Sequence, residues 1–278
     1  MTRPVSGPAP VHARTMRTVL TIAGSDPSGG AGVQGDLKTF AAHGVYGMAV
    51  LTALTVQNTR GVTRVEPIAP DLVGEQIDAV VSDIEPHAIK IGMLATGAIV
   101  RVVARVLAAY SRDRAASNPT AIVVDPVMAA TAGGALLDAE GIIAVRDALL
   151  PLATVVTPNT IEAERLTGMP VSSAAEAHRA AARLVSLGAA AAIVTGGHLD
   201  GPPIDVLFDG VRAIALESVR LESRDTHGTG CAFSAALAAR LALGDSLEEA
   251  ARHAKAYVTD AIRRAPGLGQ GRGPLGHA

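Results

Sequence analysis

The segment DTHGTGC, residues 225–231, contains residue types suited to binding a phosphate group. Gly228 and Gly230 immediately precede a continuous apolar stretch with the spacing of a helix. Free backbone N–H groups at a helix start, reinforced by the helix dipole, bind anions. Thr226 and Thr229 add hydroxyl donors to the same turn. A glycine-rich helix start can serve the backbone alone, but this combination favours holding a phosphoryl group during its transfer.

Cys231, the only cysteine, follows this turn. A helix N-terminus can lower the pKa of a thiol well below about 8.5. Lone buried cysteines are more often inert apolar residues, yet this position favours a thiolate that accepts the proton of an alcohol or orients its hydroxyl. One cysteine cannot form an internal disulfide, which is typical of a reducing compartment.

Carboxylates suited to a divalent cation follow two predicted strands. Asp125 ends the apolar segment TAIVVD, and Asn159 and Glu162 lie three residues apart at the next strand-to-helix turn. Mg²⁺ keeps several waters and takes only one or two carboxylates, so these residues suit it. The same spacing also predicts a capping box, with Asn159 as N-cap and Glu162 as its partner. The two roles are compatible.

The glycine-rich segment GSDPSGGAG, residues 24–32, separates the first predicted strand from the first helix. It matches neither the Walker pattern nor the dinucleotide fingerprint. It is either a flexible connection or a loop whose backbone closes around a small ligand. Asp36 follows in the first turns of the helix, where it either interacts with the helix dipole or binds a polar ligand group.

Short β-branched segments alternate with alanine-rich helical segments, which predicts one α/β domain with a mainly parallel sheet covered on both faces. Strands are predicted at 18–26, 47–59, 88–94, 120–128, 153–159 and 190–197, with a hairpin over 205–218 turning at Asp209-Gly210. Helices are predicted at 32–44, 71–83, 97–110, 138–150, 174–187, 230–243 and 246–264. In such sheets ligands bind at the carboxyl ends of the strands, where the polar segments above all lie.

Composition narrows the class of protein. The 278 residues are 49% hydrophobic and 18% charged, with a net charge of -2, 2% aromatic residues and no tryptophan. Neither nucleic acid nor an anionic membrane is therefore an expected partner. No apolar run is long enough to span a membrane. We expect residues 1–16 to be a disordered lead-in, residues 17–278 to be the folded domain, and the protein to be soluble and cytoplasmic.

Seven motifs in order resemble the ribokinase-like superfamily, and within it the hydroxymethylpyrimidine/phosphomethylpyrimidine kinases of thiamine biosynthesis. They are LTIAGSDPSGGAGVQGDLKTF, TALTVQNTRGV, KIGML, DPVM, TPNTIEAERLTG, GGH and THGTGC. The resemblance extends from Thr18 to the tail GLGQGRGPLGH. It implies a single three-layer α/β/α domain that usually forms a homodimer. It also implies two ATP- and Mg²⁺-dependent phosphorylations, of 4-amino-5-hydroxymethyl-2-methylpyrimidine and then of its monophosphate.

The resemblance also assigns roles to residues. The pyrimidine is expected against Gly24, Asp36, Gln57, Met93, Val127 and Cys231. ATP is expected at Asn159, Thr195, Thr226, Gly228, Thr229 and Gly230. Mg²⁺ is expected at Asp125 and Glu162, and Cys231, Gly228 and Gly230 are expected to take part in catalysis. The amide of Gln57 suits an aminopyrimidine edge, because it can both donate and accept hydrogen bonds.

Two departures from the family pattern reduce positive charge near the phosphates. Thr195 stands where relatives often carry a lysine, and residues 129–137 lack the lysine common after DPVM. The second phosphorylation, which has the more anionic acceptor, depends most on such charge. Two other functions stay open: a pyridoxal or pyridoxine kinase, and a pyrimidine-binding regulatory protein with weak catalysis. The cysteine of THGTGC favours the pyrimidine kinases over sugar kinases.

Overall fold

A computed structural model of the chain describes residues 16–113, 119–130, 133–197 and 203–277. Residues 1–15, which make up nearly all of the predicted lead-in, lie outside these ranges. So does His198 of the GGH motif. No helix within the described ranges has both the length and the apolar character that crossing a membrane requires.

The described residues form a sheet of nine strands in the order β3-β2-β1-β4-β5-β6-β7-β8-β9. The strands are β1 (Thr18–Ser25), β2 (Tyr46–Asn58), β3 (Gly61–Pro67), β4 (Ala88–Ile91), β5 (Ala121–Val124), β6 (Val155–Val156), β7 (Ala192–Val194), β8 (Asp205–Phe208) and β9 (Ala213–Leu216). From β2 to β7 all neighbours are parallel. Antiparallel pairs extend both edges, so the predicted mainly parallel sheet is confirmed.

Helices cover both faces of the sheet. They are α1 (Gly32–Ala42), α2 (Pro70–Val81), α3 (Gly97–Asp113), α4 (Ala139–Ala144), α5 (Thr160–Thr167), α6 (Ala174–Ser186), α7 (Thr229–Leu243) and α8 (Leu247–Arg263). One apolar core joins the sheet to α2 through α6, and a second joins it to α1, α7 and α8. Adjacent residues of β1 alternate between them, with Val19 in the second core and Leu20 in the first. This is the three-layer α/β/α architecture expected from the sequence.

The main differences from prediction are at strand ends and at one edge. The predicted strand 120–128 ends at Val124, and in the predicted strand 153–159 only Val155–Val156 forms a strand, with a separate bridge between Asn159 and Thr195. The polar residues that follow these strands therefore lie in loops. Strand β3 was not predicted, because it is an edge strand with an entirely half-exposed or exposed pattern. The predicted hairpin is confirmed, and the Asp209 carboxylate accepts hydrogen bonds from Val211 N and Arg212 N in its turn.

Candidate active site

A cavity of about 580 Å³ opens at the carboxyl ends of the parallel strands. Its walls are the glycine loop after β1, the adjoining ends of β2 and β3, the segments that follow β4 to β7, the turn before α7, and one side of α8. Its volume lies in the range of small-molecule sites. Because parallel strands end at the same edge of the sheet, the motifs from distant parts of the chain meet here.

The turn before α7 brings backbone N–H groups to this cavity. Gly228 is the N-cap of α7 and has a φ of 82°, a left-handed conformation that glycine adopts without strain. A Cβ at Gly228 would overlap with the carbonyl oxygen of Gly30, so the two glycine loops pack backbone to backbone. A Cβ at Gly230 would meet no atom within 4 Å. The helix start is thus anchored at Gly228 and open towards the cavity at Gly230.

A buried histidine and a buried carboxylate hold the two glycine loops together. His227 Nε2 lies 2.7 Å from Asp26 Oδ2. The same carboxylate accepts hydrogen bonds from Ser28 and from Ala31 N. Although burial raises the pKa of Asp26, hydrogen bonds from His227 and Ser28 hold it below its usual value. His227 also lies 3.4 Å from the Gln57 amide nitrogen, which connects the phosphate-binding turn to the end of β2.

Cys231 lies in the first turn of α7 and lines the cavity, but the expected lowering of its pKa is wrong. Burial raises the pKa of the thiol to about 12, and the carboxylates of Asp125 and Asp36 add to this effect. The charge of Lys90 and a hydrogen bond from Gly32 N oppose it without overcoming it. The thiol is therefore protonated at neutral pH, and the helix N-terminus does not make it a thiolate.

Asp36 does not line the cavity, which corrects its expected contact with the pyrimidine. Its carboxylate is fully buried and accepts hydrogen bonds from Thr21 Oγ1 at 2.6 Å and from Lys90 Nζ at 2.9 and 3.0 Å. Burial alone would lower the pKa of Lys90, but the neighbouring Asp36 carboxylate holds it above its usual value. The ion pair holds Lys90 beneath the site. There the charge of its ammonium group also opposes the rise in the pKa of Cys231 and Asp125.

A small apolar cluster forms the floor at one end of the cavity. Met93 packs there with Ala53 and Ala95, and Val127 lies against them. A Cβ at Gly24 would come within 2.9 Å of the Met93 sulfur, so this glycine leaves the thioether room. Gln57 faces the same end, since alternation along β2 points it inward and Val56 outward. An amide beside an apolar floor suits a flat ring with polar edge groups.

Asp125 and Glu162 place two buried carboxylates in the cavity wall. Asp125 accepts a hydrogen bond from Ser234 Oγ at 2.9 Å. The predicted capping box is confirmed, with Asn159 Oδ1 bonded to Glu162 N and Glu162 Oε2 to Asn159 N. Burial raises the pKa of both carboxyls, and the charge of Asp125 helps to raise that of Glu162 to about 8.

These carboxylates fit a hydrated cation better than a fully protein-ligated one. Within the described ranges no three His, Cys, Asp or Glu side chains form a metal-binding group. Mg²⁺ needs only one or two carboxylates when a ligand phosphate and waters supply the rest. A cation between two carboxylates whose pKa values are both raised would also relieve their repulsion.

Thr195 lies at the cavity where β7 ends, next to a second buried ion pair. Its backbone N–H donates to Pro158 O at 2.9 Å. The neighbouring Gly196 N donates to Asp205 Oδ1 at 2.9 Å, and Asp205 Oδ2 lies 2.7 Å from Lys255 Nζ. Both members of this pair line the cavity. The ammonium group of Lys255 thus lies close to the end of β7, where Thr195 is located.

The cavity contains every predicted site residue except Asp36 in its walls. Four further side chains at the site were not predicted from the sequence: Lys90, His227, Asp205 and Lys255. The signal for Lys90 was a lysine inside the apolar segment AIKIGML, since a buried charge requires a partner. Asp205 and Lys255 are far apart in the sequence and carried no comparable signal.

Known proteins of one family resemble this chain over most of its length. A family model described as phosphomethylpyrimidine kinase matches residues 26–276. The chain is 49% identical over 262 residues to the hydroxymethylpyrimidine/phosphomethylpyrimidine kinase of Rhizobium meliloti, covering 93% of this chain and 96% of that one. It is 48% identical over 261 residues to the thiamine biosynthesis bifunctional protein ThiED of Geobacter sulfurreducens. That match covers 94% of this chain and 52% of ThiED, so the chain spans about half of it.

Solved structures resemble this chain over most of its length. The pyridoxal kinase of Staphylococcus aureus in complex with AMP-PCP and pyridoxal has a TM-score of 0.84 at 38% identity, covering 94% of this chain and 93% of that one. The phosphomethylpyrimidine kinase of Clostridium difficile 630 has a TM-score of 0.77 at 40% identity, covering 88% and 99%.

Proposed function

We propose a function for this chain from one premise: it belongs to the phosphomethylpyrimidine kinase family. The chain transfers the γ-phosphoryl group of ATP to the hydroxyl of 4-amino-5-hydroxymethyl-2-methylpyrimidine, and then a second one to the resulting monophosphate. The observation that carries this proposal is the shape of the cavity described above. It joins an apolar floor with an inward-facing amide to an anion-binding helix start.

The pyrimidine is held at the floor. Met93 and Val127 contact its faces, Gly24 leaves room for the ring, and Gln57 pairs with its polar edge. Cys231, in the first turn of α7, contacts the hydroxymethyl group. Because the thiol is protonated at neutral pH, its role is to orient the hydroxyl rather than to receive its proton. A loose phosphoryl-transfer transition state depends mainly on such positioning.

The triphosphate is held at the other end. The N–H groups from Gly228 to Gly230, with the hydroxyls of Thr226 and Thr229, hold the transferred group. Asn159 and Thr195 contact the nucleotide from the adjoining strand ends. Asp125 and Glu162 hold Mg²⁺, which neutralises phosphate charge when bound. These assignments are supported by the shared cavity and by the raised pKa values of the two carboxyls.

Pyridoxal is a second candidate acceptor. The S. aureus pyridoxal kinase has the same fold, and its solved structure is a complex with AMP-PCP and pyridoxal. A hydroxymethylated pyridine has the size of the pyrimidine, and the floor described above accepts either ring. The inward-facing Gln57 favours the ring that offers the aminopyrimidine edge, because its amide can both donate and accept hydrogen bonds.

The test is to incubate the purified protein with MgATP and hydroxymethylpyrimidine, with pyridoxal in a parallel reaction, and to identify products by mass spectrometry. We expect pyrimidine diphosphate as the main final product. A reaction that stops at the monophosphate would limit the chain to the first transfer. Phosphorylated pyridoxal alone would assign it to the second candidate, and tight pyrimidine binding without product would make it a binding protein.

We further propose that two copies of the chain associate and act in the cytoplasm, with residues 17–278 as the kinase domain. The outward face of the β2–β3 edge supports association. Leu54 and Val56 are 48% and 57% exposed there. Such apolar side chains on one strand face suit burial against a second copy.

A further inference from the structure

The glycine-rich tail after α8 ties two walls of the cavity together. Gly271 N donates to Thr59 Oγ1 at 3.2 Å, and Arg272 N donates to Thr59 O at 2.8 Å. One residue later, Gly273 O accepts a hydrogen bond from His227 N at 3.0 Å. A Cβ at Gly271 or Gly273 would overlap with the partner segment, so only glycine permits this approach. The backbone of Arg272 is therefore fixed between the end of β2 and the phosphate-binding turn.

Arg272 is a cation at the acceptor end of the cavity. Its side chain is exposed and lines the cavity together with Gln57 and His227. Among the residues that the structure describes, no carboxylate forms an ion pair with Arg272. Lys90, which also lines the cavity, is already neutralised by Asp36. Arg272 thus contributes an uncompensated positive charge there.

The proposed second transfer requires a second phosphate site. After the first transfer the acceptor carries a phosphate ester with a charge of about −1.5 to −2 at neutral pH. The γ-phosphoryl group of the next ATP must occupy the helix start of α7, so the ester phosphate has to lie beside that turn. A guanidinium binds phosphate through paired hydrogen bonds and suits this position.

We propose that Arg272 holds the ester phosphate of the monophosphorylated acceptor and so determines specificity for the second transfer. This inference rests on the proposed function. In that transfer an oxygen of the ester phosphate forms a bond to the γ-phosphorus. The bond from the γ-phosphorus to the oxygen that bridges it to ADP breaks, and ADP leaves with the electron pair. The acceptor oxygen of the dianion carries no proton, so this step needs no general base.

The test compares Arg272→Gln with wild-type enzyme in both transfers. We expect kcat/KM for the monophosphate to fall about tenfold, as for the loss of a charged hydrogen bond. The value for the unphosphorylated pyrimidine should stay within about twofold. Calorimetry without nucleotide should show a similarly weaker Kd for the monophosphate. Arg272→Lys should retain part of the wild-type kcat/KM for the monophosphate, because lysine keeps the charge without the paired donors.

Arg60→Gln is the matched control. Arg60 is also exposed and lies next to Thr59, but it does not line the cavity. Its loss should leave both transfers and the Kd unchanged. Wild-type second-transfer kinetics and monophosphate Kd in Arg272→Gln would overturn the role of Arg272 and leave the proposed function intact. Equal losses in both transfers would also overturn it as a specificity residue. If wild-type enzyme phosphorylates neither acceptor and does not bind the monophosphate, the proposed function itself fails, and this inference with it.

Discussion

Cys231 and the buried Asp36–Lys90 pair show how burial alters the chemistry expected of single residues. The helix start predicts a reactive thiolate at Cys231, whereas burial and two nearby carboxylates raise the thiol pKa to about 12. Five pH units below that value only a very small fraction is ionised. A general-base role for this thiol is therefore unsupported, and an orienting role remains.

We expect Cys231 to react slowly with iodoacetamide at pH 7 and faster as pH rises, because the thiolate is the reactive form. Mass spectrometry of the intact protein measures the rate against that of free cysteine. Alkylation at pH 7 as fast as that of free cysteine, with a plateau below pH 8, would show that the thiol is ionised.

We also expect Cys231→Ala to reduce kcat for the first transfer more than it weakens ATP binding.

Asp36→Asn tests whether that residue acts through structure or through substrate contact. Removing one partner of a buried ion pair leaves the other charge uncompensated and costs about 3–5 kcal/mol. We expect this loss in urea unfolding, measured as the free energy of unfolding. Glu66→Gln, which removes a carboxylate from an exposed ion pair with Arg64, is the control and should change stability little. An Asp36→Asn variant with wild-type stability and a raised KM for the pyrimidine would instead support the predicted contact of Asp36 with the substrate.

At the scale of elements, the start of α7 separates two uses of glycine within three residues. Gly228 is needed for its positive φ and its contact with Gly30, whereas Gly230 leaves space towards the cavity. Both were predicted from the sequence as parts of one phosphate-binding turn. In the structure Gly228 allows close packing, whereas Gly230 leaves space towards the cavity.

We expect Gly228→Ala to lower the melting temperature, because the new methyl group overlaps with Gly30 and the backbone conformation is strained. Gly230→Ala should leave the melting temperature unchanged and weaken ATP binding about tenfold or more, since its methyl group occupies space beside the helix start. Thermal melts and nucleotide titrations measure both effects. Equal stability losses in the two variants would contradict this division.

The elements themselves were largely predictable, and the exceptions have physical causes. Buried strands such as β1 carry continuous apolar segments, and the capping box at Asn159 is encoded by local spacing. Strand β3 carries no such signal, because it is half-exposed and pairs at an edge. The length of β5 was overestimated, since Asp125 and Met128 are buried in a loop rather than in the sheet.

At the scale of the whole molecule, the parallel arrangement of the strands determines where the site forms. Motifs after separate strands converge because parallel strands end at a common edge. What the rule does not give is side-chain pairing over long sequence distances. His227 with Asp26, Lys90 with Asp36, and Lys255 with Asp205 become visible only in three dimensions. The sequence therefore located the cavity and most of its walls, but misassigned Asp36 and did not indicate the buried side-chain pairs that support the site.

The central claim is that one cavity carries out both phosphoryl transfers on a pyrimidine. The most direct measurement is a phosphorus NMR time course of wild-type enzyme with hydroxymethylpyrimidine and excess MgATP. We expect a monophosphate signal that rises and then falls as a diphosphate signal appears, with two ADP formed for each pyrimidine consumed. ATP consumption without any phosphorylated pyrimidine, or no consumption at all, would contradict it.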